Sequence, residues 1–467
     1  MTEATRACNN AKNSIAKSIP DVSRLVRGIR FLVFLFLIYS IPVLAATSSN
    51  SNSNKIWTLP ELTSLALTQN PATRLAWAQV QAAVANVGIV ESTYWPQINF
   101  TAASSYQTGG NNNNSNNNSS GCSNNDPLCG TLTLDFIVWD FGVRNAQVKN
   151  ADYLRIASQL SQNETIQTVL LQVEQAYYQL LGAVALVKAD QISLKEAQIN
   201  LNAANALHKQ GLATVGDVYQ AESTLSQAEL ALQQAQGNAS IAHGQLAVSI
   251  GLPVQTPLKI RELSTQIDTN TMMKRIEGLL QQAKTQRPDL LAAEAQVQAA
   301  EAQVQVTKRQ QWPTIALSAN TQNSTLGNTA SQQNRQSNVM LTLSVPIFTG
   351  FQQTNAIKQA IAQEQEAEAT HDQLRNQVDI EVWQAYYSLE TAQKTINTSK
   401  YYLKSSIQAA NQTLGQYKAG VGNILSVLTT QTTEASARVQ LIQSVLDWYL
   451  DLAQLMQAIG ALEVPKA

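Results

Sequence analysis

Four short segments of the chain alternate apolar and polar residues with a period of two. In the first segment Ile98 and Phe100 share one face, while Gln97, Asn99 and Thr101 share the other. The apolar positions of the other three segments are Leu132, Leu134, Phe136 and Val138, then Ile315, Leu317 and Ala319, and finally Val339, Leu341, Leu343, Val345 and Ile347. This alternation predicts β-strands with one apolar and one polar face, paired as hairpins over residues 97–139 and 314–348.

The loops between the paired strands are strongly polar. Residues 111–120 are almost entirely Asn and Ser, and the second loop runs through Asn323, Gly327 and Asn338. This composition predicts solvent-exposed hairpin tips, although a disordered linker between domains would have the same composition.

Long helical sequence separates the two hairpins. Residues 144–209 and 354–418 contain no proline and one glycine each. At 1.5 Å per residue each would extend about 100 Å. Apolar residues in the first stretch recur at alternating spacings of four and three, which predicts left-handed supercoiling against neighbouring helices.

The long helices are predicted to end at glycine and to be followed by returning helices. Gly211 and Gly420 are the breaking residues, and the returning helices are expected over residues 217–250 and 425–459. Shorter helices, each predicted as a single element, lead into the hairpins. They cover residues 59–91 and 272–309.

The second half of the chain repeats the first. Residues 71–96 match 288–313 at an offset of 217, and residues 132–251 match 341–460 at an offset of 209. The first copy is longer by the difference between 217 and 209, which is eight residues. A duplication of this size predicts two similar units related by pseudosymmetry.

The N-terminal residues have the order of a secretory signal. Three arginines precede an apolar run at 31–44, which Ala45 and Ala46 follow. The run is shorter than the roughly 20 residues of a membrane-spanning helix, so cleavage after Ala45 or Ala46 is expected, with a retained membrane anchor as the open alternative. Secretion would bring the chain into an oxidising compartment, where Cys122 and Cys129 are expected to form a disulfide.

The predicted units are a signal peptide (1–46), a flexible leader (47–56), a first structural repeat (57–257), a linker (258–271), a second structural repeat (272–463) and a tail (464–467).

Composition narrows the possible functions. Charged residues make up 13% of the chain and the net charge is −1, so a nucleic-acid partner is not expected. The three histidines, His208, His243 and His371, do not have the spacing of metal ligands. No phosphate-binding loop or nucleophile–base set occurs in the sequence, so we expect no metal, no cofactor and no enzymatic activity.

The number of strands predicts self-association. Four strands cannot close a barrel, and exposed strand edges are not tolerated inside lipid. Three copies would supply twelve strands, an even number within the known range, whereas two copies would supply eight and leave hardly any lumen. The sequence therefore predicts a homotrimer in contact with outer-membrane lipid.

Aromatic residues mark the ends of the predicted strands. They include Trp95, Trp139, Trp312 and Phe348. Trp and Tyr rings favour the headgroup layer of a bilayer, which predicts a membrane-interface girdle. Ordinary packing where helix meets strand is the open alternative.

The order and spacing of several motifs resemble the TolC-like outer membrane efflux family. These motifs are the duplication itself, Trp95-Pro96 and Trp312-Pro313, residues 345–350, and the tip sequences at 209–214 and 417–422. The resemblance implies a mainly α-helical fold with a β-barrel, in which a trimer forms a twelve-stranded outer-membrane barrel and a coiled-helix periplasmic barrel. It also implies a periplasmic adaptor (membrane fusion) protein and an inner-membrane pump as partners.

The function implied by this resemblance is a passive exit duct of a tripartite export system in the outer membrane, conducting small molecules such as drugs. A type I protein-secretion duct is an open alternative, and the sequence does not separate the two. A periplasmic coiled-coil scaffold or adaptor without a pore is a second alternative, against which the matched apolar strand faces argue.

The resemblance also assigns roles to the helix tips. The adaptor-contacting residues it implies are Gly211, Leu212, Ala213, Gly420, Val421 and Gly422. Many relatives carry aspartates just after the second tip, where this chain has Ser426 and Thr429, so a carboxylate ring there is in doubt. Asp217 remains the candidate for a charged periplasmic entrance, although an aspartate at this position also stabilises a helix N-terminus.

Overall fold

The computed structural model describes residues 56–103, 128–261, 275–325 and 333–462. The predicted signal peptide, Cys122 and most of the first hairpin loop lie outside these residues, and so does the side chain of Cys129. The disulfide and the signal peptide therefore stay predictions.

Six strands and eight helices occur in the described residues, with a single 3₁₀ turn at Ser92–Tyr94. The strands are β1 (Ile56–Trp57), β2 (Gln97–Ala103), β3 (Leu128–Trp139), β4 (Lys259–Ile260), β5 (Thr314–Thr325) and β6 (Gln333–Ser344). The helices are α1 (Leu59–Gln69), α2 (Pro71–Glu91), α3 (Val143–Lys209), α4 (Val215–Ile250), α5 (Ile276–Gln286), α6 (Pro288–Arg309), α7 (Gln352–Lys418) and α8 (Ile424–Ala458). The four long helices thus agree with the predicted ones to within about two residues at each end.

Strands β2, β3, β5 and β6 form one antiparallel sheet in that order. Residues directly opposite each other across the sheet share a face. One row across the four strands is Ile98, Leu134, Ala319 and Val339, and the next is Asn99, Thr133, Asn320 and Asn338. The predicted division into an apolar and a polar face is therefore confirmed, with Ile137, Ala316 and Met340 as apolar residues on the polar side. The outer edges of β2 and β6 pair with no strand among the described residues.

The prediction for the end of β3 was wrong by one residue. A β-bulge lies between Ile137 and Trp139, so Val138 has no cross-strand partner and Trp139 stands opposite Ile315. An extra residue reverses the alternation beyond it. Trp139, rather than Val138, therefore continues the apolar face.

The second hairpin is longer at its tip and shorter at its base than the sequence predicted. Asn323 and Asn338 were predicted in the loop, but they lie in paired strands. Val345 and Ile347 were predicted in the last strand, but β6 ends at Ser344. At the tip, polar residues extend the strands because backbone pairing in water tolerates polar side chains. At the base, the last strand ends early because Pro346 has no backbone N–H to donate to the neighbouring strand.

Proline divides both of the short helices that were predicted as single elements. Pro71 and Pro288 occupy the first positions of α2 and α6, where the missing N–H costs no helical hydrogen bond. Asn70 fixes the first break: its side chain accepts a hydrogen bond from the Ala72 N–H at 2.8 Å and donates one to the Ser249 carbonyl at 2.8 Å. The Asn70 side chain thereby connects the start of α2 to the end of α4.

The two repeats build equivalent hydrophobic cores. Leu62 and Val173 lie in the first core, and their counterparts Leu279 and Val382 lie in the second. Each core packs the first short helix of its repeat against the long helix. Strand β4, which falls inside the predicted linker, pairs in parallel with β1 beside the first core.

The long helices pack side by side at two levels. Nearer the sheet the order is α2, α3, α6, α7, and nearer the tips it is α4, α3, α8, α7. Helix α3 therefore has a neighbour on both sides at each level. Within the described residues, its counterpart α7 has a long helix on one side only.

Across the described helices, no stretch combines the length and the hydrophobicity that a bilayer-crossing helix requires.

Candidate functional site

The first tip joins α3 to α4 through a tight turn. Gly211 adopts a left-handed backbone with a φ of 74°, and the Leu212 N–H donates to the Leu207 carbonyl at 2.9 Å. Thr214 and Asp217 cap α4 reciprocally. The Asp217 N–H donates to Thr214 Oγ1 at 3.2 Å, and the Thr214 N–H donates to the Asp217 carboxylate at 2.9 Å. The carboxylate of Asp217 therefore has a structural role at the start of α4.

The second tip joins α7 to α8 in the same way. Gly420 also has a φ of 74°, and the Val421 N–H donates to the Gln416 carbonyl at 3.0 Å. Asn423 takes the place of Thr214, because its side chain accepts a hydrogen bond from the Ser426 N–H at 2.7 Å. The two tips are thus built alike but capped by different residues.

The tips expose apolar side chains and open backbone. Leu212 is 67% exposed and Val421 is 79% exposed. A Cβ atom added to Gly211 or Gly420 would meet nothing within 4 Å, so the space beside both glycines is free. Gly422 differs, because its Cβ would lie 3.0 Å from the Tyr417 backbone nitrogen. Glycine at 422 is required by its own turn.

A buried tyrosine brings the two tips together. Tyr417, at the end of α7, is 4% exposed and shares a buried cluster with Ile424 and Val427 of α8, against which Leu207 of α3 packs. Its hydroxyl has no hydrogen-bond partner in the described part of the chain. Burial raises the pKa of Tyr417, and the nearby negative charge of Asp217 raises it further. Sequence reasoning missed Tyr417; its signal is a tyrosine three residues before the breaking glycine.

The remaining candidates at the periplasmic entrance lie on the first turns of α8. Ser426 and Thr429 are both exposed. The Thr429 hydroxyl donates to the Leu425 carbonyl at 2.8 Å, so it bonds within its own helix. In the described residues neither side chain shares a hydrogen bond with Asp217. The structure therefore brings Asp217 close to Tyr417, and their grouping with Ser426 and Thr429 stays a prediction.

The four predicted interface aromatics lie at the helix-proximal end of the sheet. Trp95 and Phe348 are the most exposed, at 74% and 75%. Phe141 lies between the other two, with ring centroids 6.0 Å from Trp139 and 5.8 Å from Trp312. Their contact with a bilayer interface stays a prediction.

The joint between α3 and α8 buries polar groups. Arg438 forms an ion pair with Glu434 and lies 3.6 Å from Glu196. Burial and the charge of Glu434 raise the pKa of Glu196, against the opposing effect of Arg438. Asn200, which is 1% exposed, bonds to Gln431. These side-chain pairs fix how the two repeats meet, and the sequence pattern alone gave no sign of them.

Helix α2 leaves exposed a stripe that α6 buries. The exposed stripe of α2 is Pro71, Leu75, Ala78, Ala82, Ala85 and Ile89, and the buried counterparts in α6 are Pro288, Ala292, Ala295, Ala299, Ala302 and Val306. The stripe of α6 faces α3, because Asn150 of α3 donates its side-chain N–H to the Ala299 carbonyl at 2.7 Å. The stripe of α2 has no helix against it in the described residues.

Comparison with known proteins identifies relatives of the whole architecture. A family model described as outer membrane efflux protein matches residues 62–252 and 279–461, one stretch in each repeat. "Protein CyaE" of Bordetella pertussis is 29% identical over 388 residues, which cover 81% of this chain and 79% of that protein. The pyoverdine export outer membrane protein OpmQ of Pseudomonas aeruginosa is 26% identical over 89% of this chain and 88% of its own length.

Solved structures share the fold. The outer membrane channel CmeC of Campylobacter jejuni superposes with a TM-score of 0.74 at 17% identity, over 94% of this chain and 96% of that one. The outer membrane protein VceC of Vibrio cholerae superposes with a TM-score of 0.73 at 21% identity, over 86% and 96% of the two chains. At these identities the likeness concerns the fold.

Proposed function

This chain belongs to the outer membrane efflux protein family, and on that premise we propose that it is the outer-membrane exit duct of a tripartite export system. The observation that carries the proposal is the sheet with one apolar face and two outer edges that pair with no described strand, continued by helices of 67 residues. At 1.5 Å per residue such helices reach about 100 Å from the sheet. The duct conducts small molecules passively, as the name of the pyoverdine-exporting relative suggests.

The working assembly is a homotrimer whose copies join as the two repeats do within one chain. Helix α3 has α6 and α8 of the second repeat on its far side. Within the described residues its counterpart α7 lacks the equivalent neighbours, which would be α2 and α4 of another copy. Placing them there covers the exposed stripe of α2 and gives each strand edge of the sheet a partner. A closed ring of this kind is a heterologous interface that repeats until it closes.

A pair of glycines supports this joint. Between α3 and α8, Gly182 leaves the space that Leu446 fills, since a Cβ on Gly182 would lie 2.1 Å from Leu446 Cδ1. Their counterparts at an offset of 209 are Thr391 on α7 and Gly237 on α4. Gly237 has open space beside it, with nothing within 4 Å of a Cβ. Within the chain the glycine is on the long helix α3 and the larger residue is on the returning helix α8. Between copies the larger residue, Thr391, is on the long helix and the glycine, Gly237, is on the returning helix, so Thr391 of one copy fits against Gly237 of the next.

The tips bind the periplasmic adaptor, and the adaptor connects the duct to an inner-membrane pump. The contact surface comprises both tip turns: Gly211, Leu212, Ala213, Gly420, Val421 and Gly422. Exposed Leu212 and Val421 supply apolar area, and the open sides of Gly211 and Gly420 allow close approach of another backbone. The protein acts in the outer membrane after its signal peptide is removed.

The tips are also the gate, with Asp217 as its charged residue. Asp217 caps α4 and lies near Tyr417 of the other tip. Opening separates α7 and α8 from the first tip when the adaptor binds, which would relieve the unsatisfied Tyr417 hydroxyl by exposing it to water.

Conductance in a planar bilayer tests the duct directly. Purified protein should give discrete single-channel steps, since a water-filled cylinder must carry ions. A periplasmic scaffold would give none, so protein that assembles as a trimer and inserts but stays silent under all voltages would contradict the proposal.

A covalent lock tests the gate. Asp217→Cys and Ser426→Cys, introduced together with Cys122→Ser and Cys129→Ser, should abolish export when a short bifunctional maleimide links the tips. The two single-cysteine variants are the controls and should export in the presence of the reagent. Undiminished export by fully cross-linked protein would show that these residues do not line the gate.

A further inference from the structure

Phe351 immediately precedes α7 and has an unusual backbone. It and Phe141 are the non-glycine residues with a positive φ in the part of the chain that the structure describes, and the φ of Phe351 is 64°. This left-handed region costs a bulky residue free energy, so the conformation persists where other contacts hold it. In one chain the Phe351 side chain is 68% exposed. A single chain therefore leaves this strained residue largely in solvent.

The equivalent turn of the first repeat shows where the Phe351 side chain points. At an offset of 209, residues 141–142 correspond to residues 350–351, and all four have φ angles between 50° and 88°. A Cβ added to Gly142 would lie 2.8 Å from Nη1 of Arg309. The Arg309 guanidinium fills this space and donates to the Gly142 carbonyl at 2.9 Å. Because the two turns share one conformation, the side chain of Phe351 leaves its backbone towards the place that corresponds to Arg309.

In the proposed joint between copies, this place belongs to the end of α2 of the next copy. Arg309 corresponds to Ser92 at an offset of 217, and Ser92 is exposed. The joint within the chain thus pairs a glycine with an arginine, and the joint between copies pairs a phenylalanine with a serine. The larger residue has moved to the other side of the joint, so the Phe351 ring has room beside Ser92.

The aromatic neighbours of this turn support the same placement. Two tryptophan rings hold Phe141 in the first repeat, with centroids at 6.0 Å and 5.8 Å. Their counterparts are Phe348, whose ring lies 5.6 Å from that of Phe351, and Trp95, which is 74% exposed. Phe351 therefore has one of the two equivalent partners in its own chain, and the joint brings the other from the next copy. Aromatic pairs of this kind add stability beyond their buried area.

The surface that would receive Phe351 is held in place by its own chain. Nη1 of Arg144 donates to the Thr93 carbonyl at 3.1 Å, and its guanidinium carbon lies 4.7 Å from the centre of the Tyr94 ring. An ion pair of 2.9 Å with Asp140 fixes Arg144 in turn. The turn at Ser92–Tyr94 is therefore ordered in the single chain, which lowers the entropy cost of docking.

We propose that Phe351 of each copy docks against Ser92 and Trp95 of the next copy and anchors the joint where the strands continue into the helices. Burial of an aromatic ring at the centre of such a contact contributes a large share of binding energy. The backbone strain that one chain carries at Phe351 is offset when the ring of copies closes. This inference rests on the proposed homotrimer, because the contact exists only between copies.

Exchange of the residue pair tests the contact on the purified trimer. The measured quantity is the half-life of the trimer in detergent at elevated temperature, followed by migration in gels run without heating. Phe351→Gly should shorten this half-life at least about tenfold, because loss of an aromatic anchor mainly speeds dissociation. Ser92→Arg should shorten it about tenfold, because the guanidinium takes the place of the ring. The double variant recreates between copies the pairing of Gly142 with Arg309 and should regain most of the lost half-life.

Two further variants make the test specific. Phe351→Asn should act like Phe351→Gly, because asparagine also accepts a positive φ but brings no ring. Phe348→Gly removes another exposed phenylalanine near the same turn and should not rescue Ser92→Arg. Circular dichroism should show the same helix content for every variant, so that the changes in half-life report the joint and not the folding of the chain.

The outcomes separate this contact from the trimer itself. A Phe351→Gly trimer as long-lived as the unmodified one would overturn the contact and leave the trimer standing, and so would additive shortening in the double variant or rescue by Phe348→Gly. Unmodified protein that is monomeric would overturn the trimer and the contact together.

Discussion

Helices α2 and α6 occupy equivalent places in the two repeats, yet their surroundings differ. In α6 the apolar stripe is buried, with Ala299 at 3% and Val306 at 2% exposure, because α3 packs against it. In α2 the same stripe is open, and Leu75 and Ile89 are 61% and 67% exposed. The difference lies in the neighbour and not in the helix. An apolar stripe that one repeat buries and the other exposes is therefore the surface that the proposed joint between copies would cover.

The positions outside the stripe support this interpretation. Trp77 and Val84 of α2 correspond to Glu294 and Glu301 of α6, and all four are exposed. Val84 and Glu301 differ in polarity, as expected for exposed positions outside the joint, whereas Trp77 lines a cavity together with Leu75 and Ala78 of the stripe. Three stripe positions are alanine in both repeats: Ala78 and Ala295, Ala82 and Ala299, Ala85 and Ala302. Alanine allows two helices to approach closely, which both joints require.

The largest effect is expected from a charge in the middle of the open stripe. Ala82→Glu is harmless in an isolated chain, because Ala82 is exposed there. In the trimer it would bury an unpaired carboxylate, at a cost of about 3–5 kcal/mol per joint. We expect the trimer to be lost, as seen by light scattering and by migration without heating in detergent gels.

The matched control for that substitution lies two residues away. Val84→Glu introduces the residue type that stands at the equivalent position 301, and it should leave the trimer intact. Equal trimer yields from Ala82→Glu and Val84→Glu would refute the assignment of the stripe to the joint between copies.

A second substitution tests the joint nearer the tips. Gly237→Leu introduces the residue found at the counterpart position 446 and should clash with Thr391 of the next copy. Overpacking of this kind costs about 1–3 kcal/mol. The midpoint of thermal unfolding, followed by circular dichroism, should fall.

Compensation makes that test specific. Adding Thr391→Gly recreates between copies the fit of Gly182 with Leu446, so the double variant should regain most of the lost thermal stability. If Thr391→Gly lowers the unfolding midpoint by the same amount in the unmodified protein and in the Gly237→Leu variant, positions 237 and 391 do not face each other.

A smaller effect is expected at Asp451, where the first repeat has the buried Ala242. The pKa of Asp451 is raised to about 6 from a usual 3.8, so the folded state holds this proton more tightly than the unfolded chain does. Its contribution is therefore fully present below the unfolded pKa and is lost as the pH rises through about 6. Asp451→Asn should stabilise the protein by about 1 kcal/mol near pH 8, after allowance for partial exposure.

The same variant should leave stability unchanged near pH 4, and thermal unfolding at both pH values measures the difference. A constant gain at the two pH values would mean that the ionised carboxylate is not the cause.

The smallest effect concerns the second tip, where Tyr417 corresponds to His208 of the first. His208 has a partner, since its Nδ1 lies 2.9 Å from the Ala213 carbonyl oxygen, but the Tyr417 hydroxyl has none in the described residues. Tyr417→Phe removes the unsatisfied hydroxyl and should stabilise the tip by up to about 1 kcal/mol. A fall in the thermal midpoint would show that the hydroxyl makes a hydrogen bond in the assembled trimer.

Local patterns in the sequence predicted the elements well. The period of two placed Ile98 and Leu134 on the correct face, and Gly211 and Gly420 placed both tips, because these signals depend on residues close in the chain. A capping residue before proline, Asn70-Pro71, is a local signal for the division of the first short helix, and the prediction of a single helix over residues 59–91 did not use it. The bulge at Val138 was not predictable, since it depends on how β3 pairs with β5.

The packing partners of the helices were beyond local reasoning. Alanine and glutamine line several faces of α3 and α6, so periodicity does not reveal which face meets which helix. The pairing of Asn200 with Gln431, and the approach of Asp217 to Tyr417, join residues about 200 positions apart. Only the three-dimensional arrangement brings these residues together, and only the comparison of the two repeats shows which contacts are missing from a single chain.

Cross-linking tests the central claim most directly, because the joint within the chain predicts the joint between copies. The hydrogen bond from Asn150 to Ala299 has its counterpart at Gln359 of one copy and Ala82 of the next. With Cys122→Ser and Cys129→Ser in place, Ala82→Cys with Gln359→Cys and a short bifunctional maleimide should give a covalent ladder that stops at three chains. The internal pair Asn150→Cys with Ala299→Cys should link within single chains. A ladder that stops at two, or no link between copies while the internal pair reacts, would contradict the account.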